Sequence, residues 1–300
     1  MSRDWQLEVY LQERVKLVET ALDHYLPSAA TLPANLHDAM RYSVFAGGKR
    51  LRPVLMMAAC EAVGGTPQQV LPAACAIEMI HSYSLIHDDL PAMDDDDFRR
   101  GKPTNHKVYG EASAILAGDG LLTEAFILLS NPEVWIDLPA ERRCEVINLF
   151  ARSAGSRGMV GGQMVDMESE GQTVDLPTLE YIHTRKTGAL MLAAIESGAI
   201  LGGANRQQRR SLCRYGEAAG LAFQIADDIL DIVADQQQLG KDVGSDLQRG
   251  KATYPALLGL DGARERAREL RELAFASLDA FGESAQPLRA IADYIVDRSF

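Results

Sequence analysis

Two aspartate clusters sit far apart in this chain, each inside an apolar stretch with helical spacing: Asp88-Asp89-Leu-Pro-Ala-Met-Asp94, running on into Asp95, Asp96 and Asp97, and Asp227-Asp228-Ile-Leu-Asp231. Carboxylates this crowded repel by roughly 4 kcal/mol per pair at ~4 Å with an effective dielectric near 20. Apolar neighbours make the repulsion harder to relieve. The chain must therefore fold so that each cluster meets positive charge, and a divalent cation is the simplest source. A hard oxygen cage suits Mg²⁺. Two such cages facing one cavity would hold a polyanion between them, a diphosphate being the natural candidate.

The scaffold around the clusters reads as helix. Segments near 4–25, 34–46, 53–63, 67–90, 111–129, 139–154, 175–202, 206–234, 254–281 and 285–297 carry apolar residues at helical spacing. Asp175 is the expected N-cap of one of them, with Pro177 early in the helix. Gly-Gly pairs at 47–48, 64–65, 161–162 and 202–203 are expected to mark helix ends. β-branched alternation over strand lengths is absent. The expected fold is all-α: a single-domain bundle of ten or more helices over residues 1–300, around a deep central cavity. No linker or composition break divides the chain, and 300 residues suffice for a large core.

A net charge of −12 argues against nucleic-acid binding. The cations that matter are local: Lys49, Arg50 and Arg52 form one group, and Arg99, Arg100 and Lys102 another. Cys60, Cys75, Cys144 and Cys213 form no CxxC pair, and the expectation is buried free thiols in a reducing compartment. The N-terminus lacks the layout of a signal peptide. No uninterrupted apolar run reaches the ~20 residues of a bilayer span, the longest candidate, 189–204, being broken by Glu196. A cytoplasmic protein with no membrane span is expected.

In the second cluster Asp227 and Asp231 are four apart on one helix face, with Asp228 beside them. Leu221, Phe223, Ile225, Ile229 and Leu230 flank them, so this is no broad solvated stripe. A straight helix would not align Asp88 with Asp94. Pro91 disturbs it, and a bulged helix end would bring both to one metal, leaving Asp95, Asp96 and Asp97 to solvent. Arginine forks grip phosphate oxygens in two places at once. Gly47-Gly48-Lys49-Arg50-Leu51-Arg52-Pro53 lets backbone approach a phosphate beside three cations. It is not a nucleotide P-loop, because no GxxxxGK[ST] occurs.

The stretches GGKRLRP, HSYSLIHDDLPAMDDDDFRRGKPTNH, GGQMVDME, HTRKTGAL, FQIADDILD and LGKDVGSDLQRGKATYPALLGL, in that order over most of residues 40–260, resemble the short-chain trans-prenyl diphosphate synthases. The resemblance implies the isoprenoid synthase fold, a homodimer, and head-to-tail condensation of isopentenyl diphosphate with an allylic diphosphate. It implies Mg²⁺, three ions per active site with substrate bound (Mn²⁺ being an alternative), held by Asp88, Asp89 and Asp94 and by Asp227, Asp228 and Asp231. By the same resemblance Lys49, Arg52, His81 and Arg100 bind isopentenyl diphosphate, while Arg99, Lys186, Lys241 and Lys251 clamp the allylic diphosphate. Thr187 and Gln224 turn oxygens toward the developing cation, which demands a dry cavity. Lys186, Thr187, Gln224, Asp88 and Asp227 are thus the candidate catalytic residues.

Product length is open to a physical argument. Tyr83 lies five residues before Asp88, with Ser84 four before, so a ring there would floor a tunnel about a turn and a half below the metals. A ring at that position and the two-residue insertion in the first cluster resemble family members that stop at fifteen carbons. Geranyl and geranylgeranyl diphosphate are the alternative products. Two other classes compete. Glu78-Met-Ile-His81 and Glu180-Tyr-Ile-His183 are both Glu-x-x-His, as in di-iron bundles, but that reading leaves both aspartate clusters unexplained. A non-catalytic regulatory subunit should have lost a cluster or a clamp cation, and none is lost.

Overall fold

The computed structural model describes residues 5–172, 174–233 and 253–297. The helices are α1 (Leu7–Tyr25), α2 (Ala34–Val44), α3 (Leu51–Ala62), α4 (Pro67–Asp88), α5 (Asn105–Tyr109), α6 (Glu111–Ser130), α7 (Ala140–Ala154), α8 (Met159–Ser169), α9 (Leu176–Ile182), α10 (Ala189–Leu201), α11 (Arg206–Val233), α12 (Tyr254–Ala276) and α13 (Gln286–Asp297). The all-α expectation holds, with one small addition among the described residues. Phe98–Arg99 (β1) and Lys102–Pro103 (β2) pair antiparallel around Arg100 and Gly101, whose φ angles are both positive.

Local chemistry sets the helix boundaries. Thr66 and Gln69 form a reciprocal capping box at the start of α4, the Gln69 side chain accepting from Thr66 N at 2.7 Å. Asp175 caps α9 as expected, accepting from Thr178 N at 3.0 Å. Thr253 Oγ1 does the same for α12, accepting from Ala256 N at 3.3 Å. At the head of α3, Arg50 adopts left-handed backbone with φ 49°, an uncommon conformation for a side chain this large.

The core is built on helices buried nearly all round. Leu55, Met56 and Met57 of α3 and Ile77, Met79 and Ile80 of α4 are fully buried, each contributing about 1.5–3 kcal/mol of hydrophobic stabilisation. α3 packs between α4 and α10, α6 lies along α4, and α11 pairs with α12. Tyr215 on α11, fully buried, donates to Leu288 O of α13 at 2.8 Å and so ties the C-terminal helix to the bundle.

Several sequence expectations are corrected. The segment 175–202 is not one helix: α9 passes into a π-helix at His183–Gly188 before α10 begins. α5 and α8 were not anticipated. The Gly161–Gly162 pair lies inside α8, not at a helix end. Packing explains it, because a Cβ on Gly162 would collide with the backbone nitrogen of Lys186 and lie 2.8 Å from the Arg185 carbonyl carbon. Cys60 and Cys75 are buried free thiols, but Cys144 is exposed and Cys213 only partly covered. By length and composition α6 could cross a bilayer, although Asp119 and Glu124 interrupt its apolar run. Ala114, Ala117, Leu121 and Ala125 bury its inner face, while its outer face shows Ile115, Leu116 and Ile127.

Candidate active site

The first cluster closes where α4 ends. Pro91 cannot continue the helix, and the chain turns back so that Asp94 N donates to Asp88 O at 2.9 Å. Met93 N and Asp95 N both return to Leu90 O, at 2.8 and 3.1 Å. The six-residue loop therefore returns Asp94 to the level of Asp88, which a straight helix could not do.

Donors from separate elements converge on these carboxylates. Gln163 of α8 donates to Asp88 Oδ1 at 2.7 Å. Lys186, in the π segment, sits 3.8 Å from the same oxygen and donates to Asp166 of α8 at 2.7 Å. Burial pulls the Lys186 pKa down, but the charges of Asp88 and Asp166 outweigh it and raise the pKa above the usual lysine value. Arg99 grips Asp89 Oδ1 through Nε at 2.6 Å and Nη2 at 2.5 Å and reaches Asp96 at 3.5 Å. Asp89 is buried, and burial pushes its carboxyl up to about 6 despite the guanidinium beside it. Asp97 pairs with Lys107 at 2.6 Å, and Asp95 is exposed.

The cationic group forms a second pole. Arg52, Arg99, Arg100 and Arg50 all bear on His81, and burial together with their charges holds its imidazole well below the ordinary histidine range. Arg52 is lowered to about 10, first by burial and then by Arg100, against the pull of Glu78 and Asp227. Arg52 thus feels the charge of Asp227 on α11 and itself acts on His81 of α4. Arg100 Nη1 donates to Gly47 O and its guanidinium covers Gly48, whose φ of 127° and missing Cβ leave it room. Lys49 is exposed, with Nζ 5.7 Å from the ring centroid of Tyr294 on α13.

Beneath that pole lies a buried ion pair, Arg50 with Glu78. Arg50 is buried, donating to Glu78 Oε1 at 2.9 Å and Val44 O at 2.6 Å. The pair pins the glycine loop to α4 one turn before His81. Its signal was legible: a lone Glu78 in the apolar run AIEMIH requires a buried cation. Gln163 and Asp166 have no role assigned from the sequence, though their i, i+3 spacing puts them on one helix face.

The second cluster divides. Asp227 is half-buried, and Asp231 is buried. Asp228, also buried, is turned toward protein donors: His183 Nε2 at 3.1 Å, Tyr254 N at 3.0 Å and Gln224 Nε2 at 3.2 Å. His183 stacks on Tyr254 with centroids 5.6 Å apart. Thr187 lies half-buried in the π segment. Tyr83 is buried edge-on to His87 at 5.7 Å, and burial lifts its hydroxyl pKa to about 12. Ser84 Oγ turns back onto His81 O at 2.8 Å. Lys241 and Lys251 lie outside the described residues. The Glu-x-x-His residues are otherwise engaged, Glu78 by Arg50 and Glu180 by the Tyr254 hydroxyl at 3.0 Å.

Among the described residues no three His, Cys, Asp or Glu side chains form a ready-made cage. This donor set still fits Mg²⁺, which keeps several waters and binds through one or two carboxylates together with substrate phosphates. The arrangement offers half-buried carboxylates with lysine and arginine beside them, and a separate cationic basin a short distance away.

Residues 33–283 match the family described as polyprenyl synthetase. The chain is 54% identical over 263 residues, 87% of either chain, to a farnesyl diphosphate synthase of Geobacillus stearothermophilus. It is 48% identical over 300 residues, covering 100% of this chain and 99% of the relative, to a geranylgeranyl diphosphate synthase of Cyanophora paradoxa. The crystal structure of an FPP/GFPP synthase from Zymomonas mobilis superposes with a TM-score of 0.87 at 43% identity, covering 97% of this chain and 99% of that one.

Proposed function

The chain belongs to the polyprenyl synthetase family, and from that premise we propose that it condenses isopentenyl diphosphate with dimethylallyl or geranyl diphosphate and stops at the fifteen-carbon farnesyl diphosphate. The observation that carries the reading is the pairing of two poles. One is the set of carboxylates around Asp88, with Lys186 and Gln163 in contact. The other is the cluster of Arg52 and Arg100 around His81. A reaction that joins two diphosphate substrates needs two dissimilar diphosphate sites, one taking metal and one taking cations alone.

In this reading the allylic diphosphate lies between Asp88, Asp94 and Asp227, its oxygens within reach of Lys186 and Arg99. Mg²⁺ (three ions with substrate bound, or Mn²⁺ in its place) would be held by Asp88, Asp94, Asp227 and Asp231 and supplies Lewis-acid stabilisation of the departing diphosphate. Asp89 acts behind them by fixing Arg99, and Asp228 by fixing Gln224 and the start of α12. Lys186 adds a fixed positive charge where negative charge develops as the allylic C–O bond breaks. Thr187 and Gln224 present oxygens to the allylic cation. Isopentenyl diphosphate is held by Arg52, Arg100, Lys49 and a neutral His81, with its double bond directed at that cation. Proton loss, taken up by the released diphosphate, completes the new double bond. Lys241 and Lys251 complete the allylic clamp by resemblance.

The fifteen-carbon stop is supported by Tyr83, whose buried ring stands five residues before Asp88, and by the 54% identity to a farnesyl diphosphate synthase. The geranylgeranyl diphosphate synthase, matched along its full length, favours a twenty-carbon product as the second reading. A homodimer is supported by the outer face of α6, where Ile115, Leu116 and Ile127 are 44%, 57% and 52% exposed.

The test is product chromatography after incubation with isopentenyl and geranyl diphosphates, with and without Mg²⁺. A Mg²⁺-dependent fifteen-carbon diphosphate is expected. A twenty-carbon product would keep the reaction and overturn the length argument. No product, beside a working control synthase, would favour a regulatory subunit.

A further inference from the structure

A second large cleft, of about 1260 Å³, shares no lining residue with the aspartate clusters. It lies between α7, the loop leading to α8, the π segment, α10, α11 and α12. Its apolar side includes Leu149, Leu192, Leu221 and Leu270, and Arg152, Arg157, Arg185 and Arg214 also line it. All four arginines are exposed. Among the described residues Arg152, Arg157 and Arg214 make no ion pair or hydrogen bond, and Arg185 meets the Tyr181 ring at 5.7 Å. A fifth lining arginine, Arg209, is already neutralised by Glu145 and by Glu196 at 2.7 Å. Glu217 is the remaining carboxylate in the lining. Arg206 and Arg210 extend the positive charge into an adjoining pocket of about 550 Å³.

Exposed arginines on a helical protein are usually a solvated face. Three features point elsewhere. The cations line a concave cleft, not a convex ridge. They gather in a chain whose net charge is −12. They stand beside Leu149, Leu192 and Leu221, which remain partly accessible. With Glu145 and Glu196 taken up by Arg209, four guanidinium groups face the single carboxylate of Glu217, an excess that raises the local potential and matches clustered phosphate oxygens bidentately. A concave site with an apolar floor and a few convergent charges suits a small ligand.

We propose that this cleft is a second anion site, which binds a diphosphate-bearing small molecule with an apolar tail, the head among the arginines and the tail along the leucines. The site adjoins the catalytic machinery through the π segment. Thr184 and Arg185 line the cleft, while the next residue, Lys186, turns to Asp166 and Asp88.

The probes are n-decyl diphosphate, which lacks an allylic double bond, and inorganic diphosphate, titrated calorimetrically in EDTA. Binding is read without turnover, so the outcome is separable from the prenyl-transfer reading. The wild-type protein is expected to show decyl diphosphate binding that weakens at least tenfold in Arg152→Gln/Arg214→Gln, with unchanged Tm, and that survives in Arg100→Gln. Inorganic diphosphate should occupy the same site at least tenfold more weakly. Unaltered binding in the double variant, or loss confined to Arg100→Gln, would overturn the proposal. Equal affinity for both probes would identify free diphosphate as the ligand and overturn the tail. Adhesion to anionic vesicles that needs these arginines, without binding of either soluble probe, would replace the small-molecule site with a membrane-facing surface.

Discussion

The two aspartate clusters look alike as strings and differ as structures. At the end of α4 the carboxylates are balanced mainly by charge, Arg99 on Asp89 and Lys186 on Asp88, with Gln163 adding one hydrogen bond to Asp88. Late in α11, Asp228 is balanced by hydrogen bonds, including the backbone nitrogen that opens α12. A carboxylate matched by side-chain cations can exchange them for metal and phosphate. One that accepts from His183, Gln224 and Tyr254 N is part of the frame. On the proposed reaction, the same DD pair would serve chemistry at one site and be shared between chemistry and architecture at the other.

Mutations at matched positions test that contrast. The largest effect is expected from Asp88→Ala and Asp227→Ala, each lowering kcat/KM by about a thousandfold, or ~4 kcal/mol of transition-state stabilisation, with little change in Tm. Near-normal kcat/KM in either variant at saturating Mg²⁺ would reject the pair of facing metal cages. Asp228→Ala should behave differently, with a stability loss of about 1–3 kcal/mol from leaving buried donors unsatisfied, read as a lowered denaturant midpoint. An Asp228→Ala protein as stable as the parent but inactive would make the two clusters equivalent after all.

Tyr83→Ala probes what lies below the first cluster. Opening the floor should shift the main product from fifteen to twenty carbons, read by chromatography. A clean stop at fifteen would remove Tyr83 from the role. The smallest effect concerns acid sensitivity at the cationic pole. His81 has a folded pKa well below its unfolded value near 6.5, so below pH 6.5 the unfolded chain binds the extra proton. Stability should then fall with falling pH, by at most about 1.4 kcal/mol per unit from this group. His81→Gln should flatten the Tm–pH curve between pH 6.5 and 5, and an unchanged curve would show that His81 is not held neutral.

What the sequence revealed, and what it hid, follows from the kind of signal each feature leaves. Helix periodicity located the long helices because an apolar face repeats over many residues. It missed α5, which is too short to repeat, and α8, where Gly161 and Gly162 read as a helix end. Glycine signals either a stop or a close approach, and only the neighbouring π segment decides which. That segment was itself invisible, since HTRKTG suits an α-helix as well. The closure of Asp94 onto Asp88 was foreseeable from Pro91, because a proline in a helix end forces the chain to turn. The inward turn of Asp228 was not, because its partners His183 and Tyr254 are remote in the chain.

The π segment at His183–Gly188 has a consequence for how the chain tolerates length changes. Relative to an α-helix it accommodates an extra residue, about 100° of rotation, between α9 and α10. Deleting a single residue there would give a more regular helix and a worse protein. Leu190, Met191 and Ala194 would rotate out of the core, and Lys186 would swing off the carboxylates it now faces. The segment works as a phase shifter, holding two helical registers out of step so that one face fills the core while the adjoining turn serves the site.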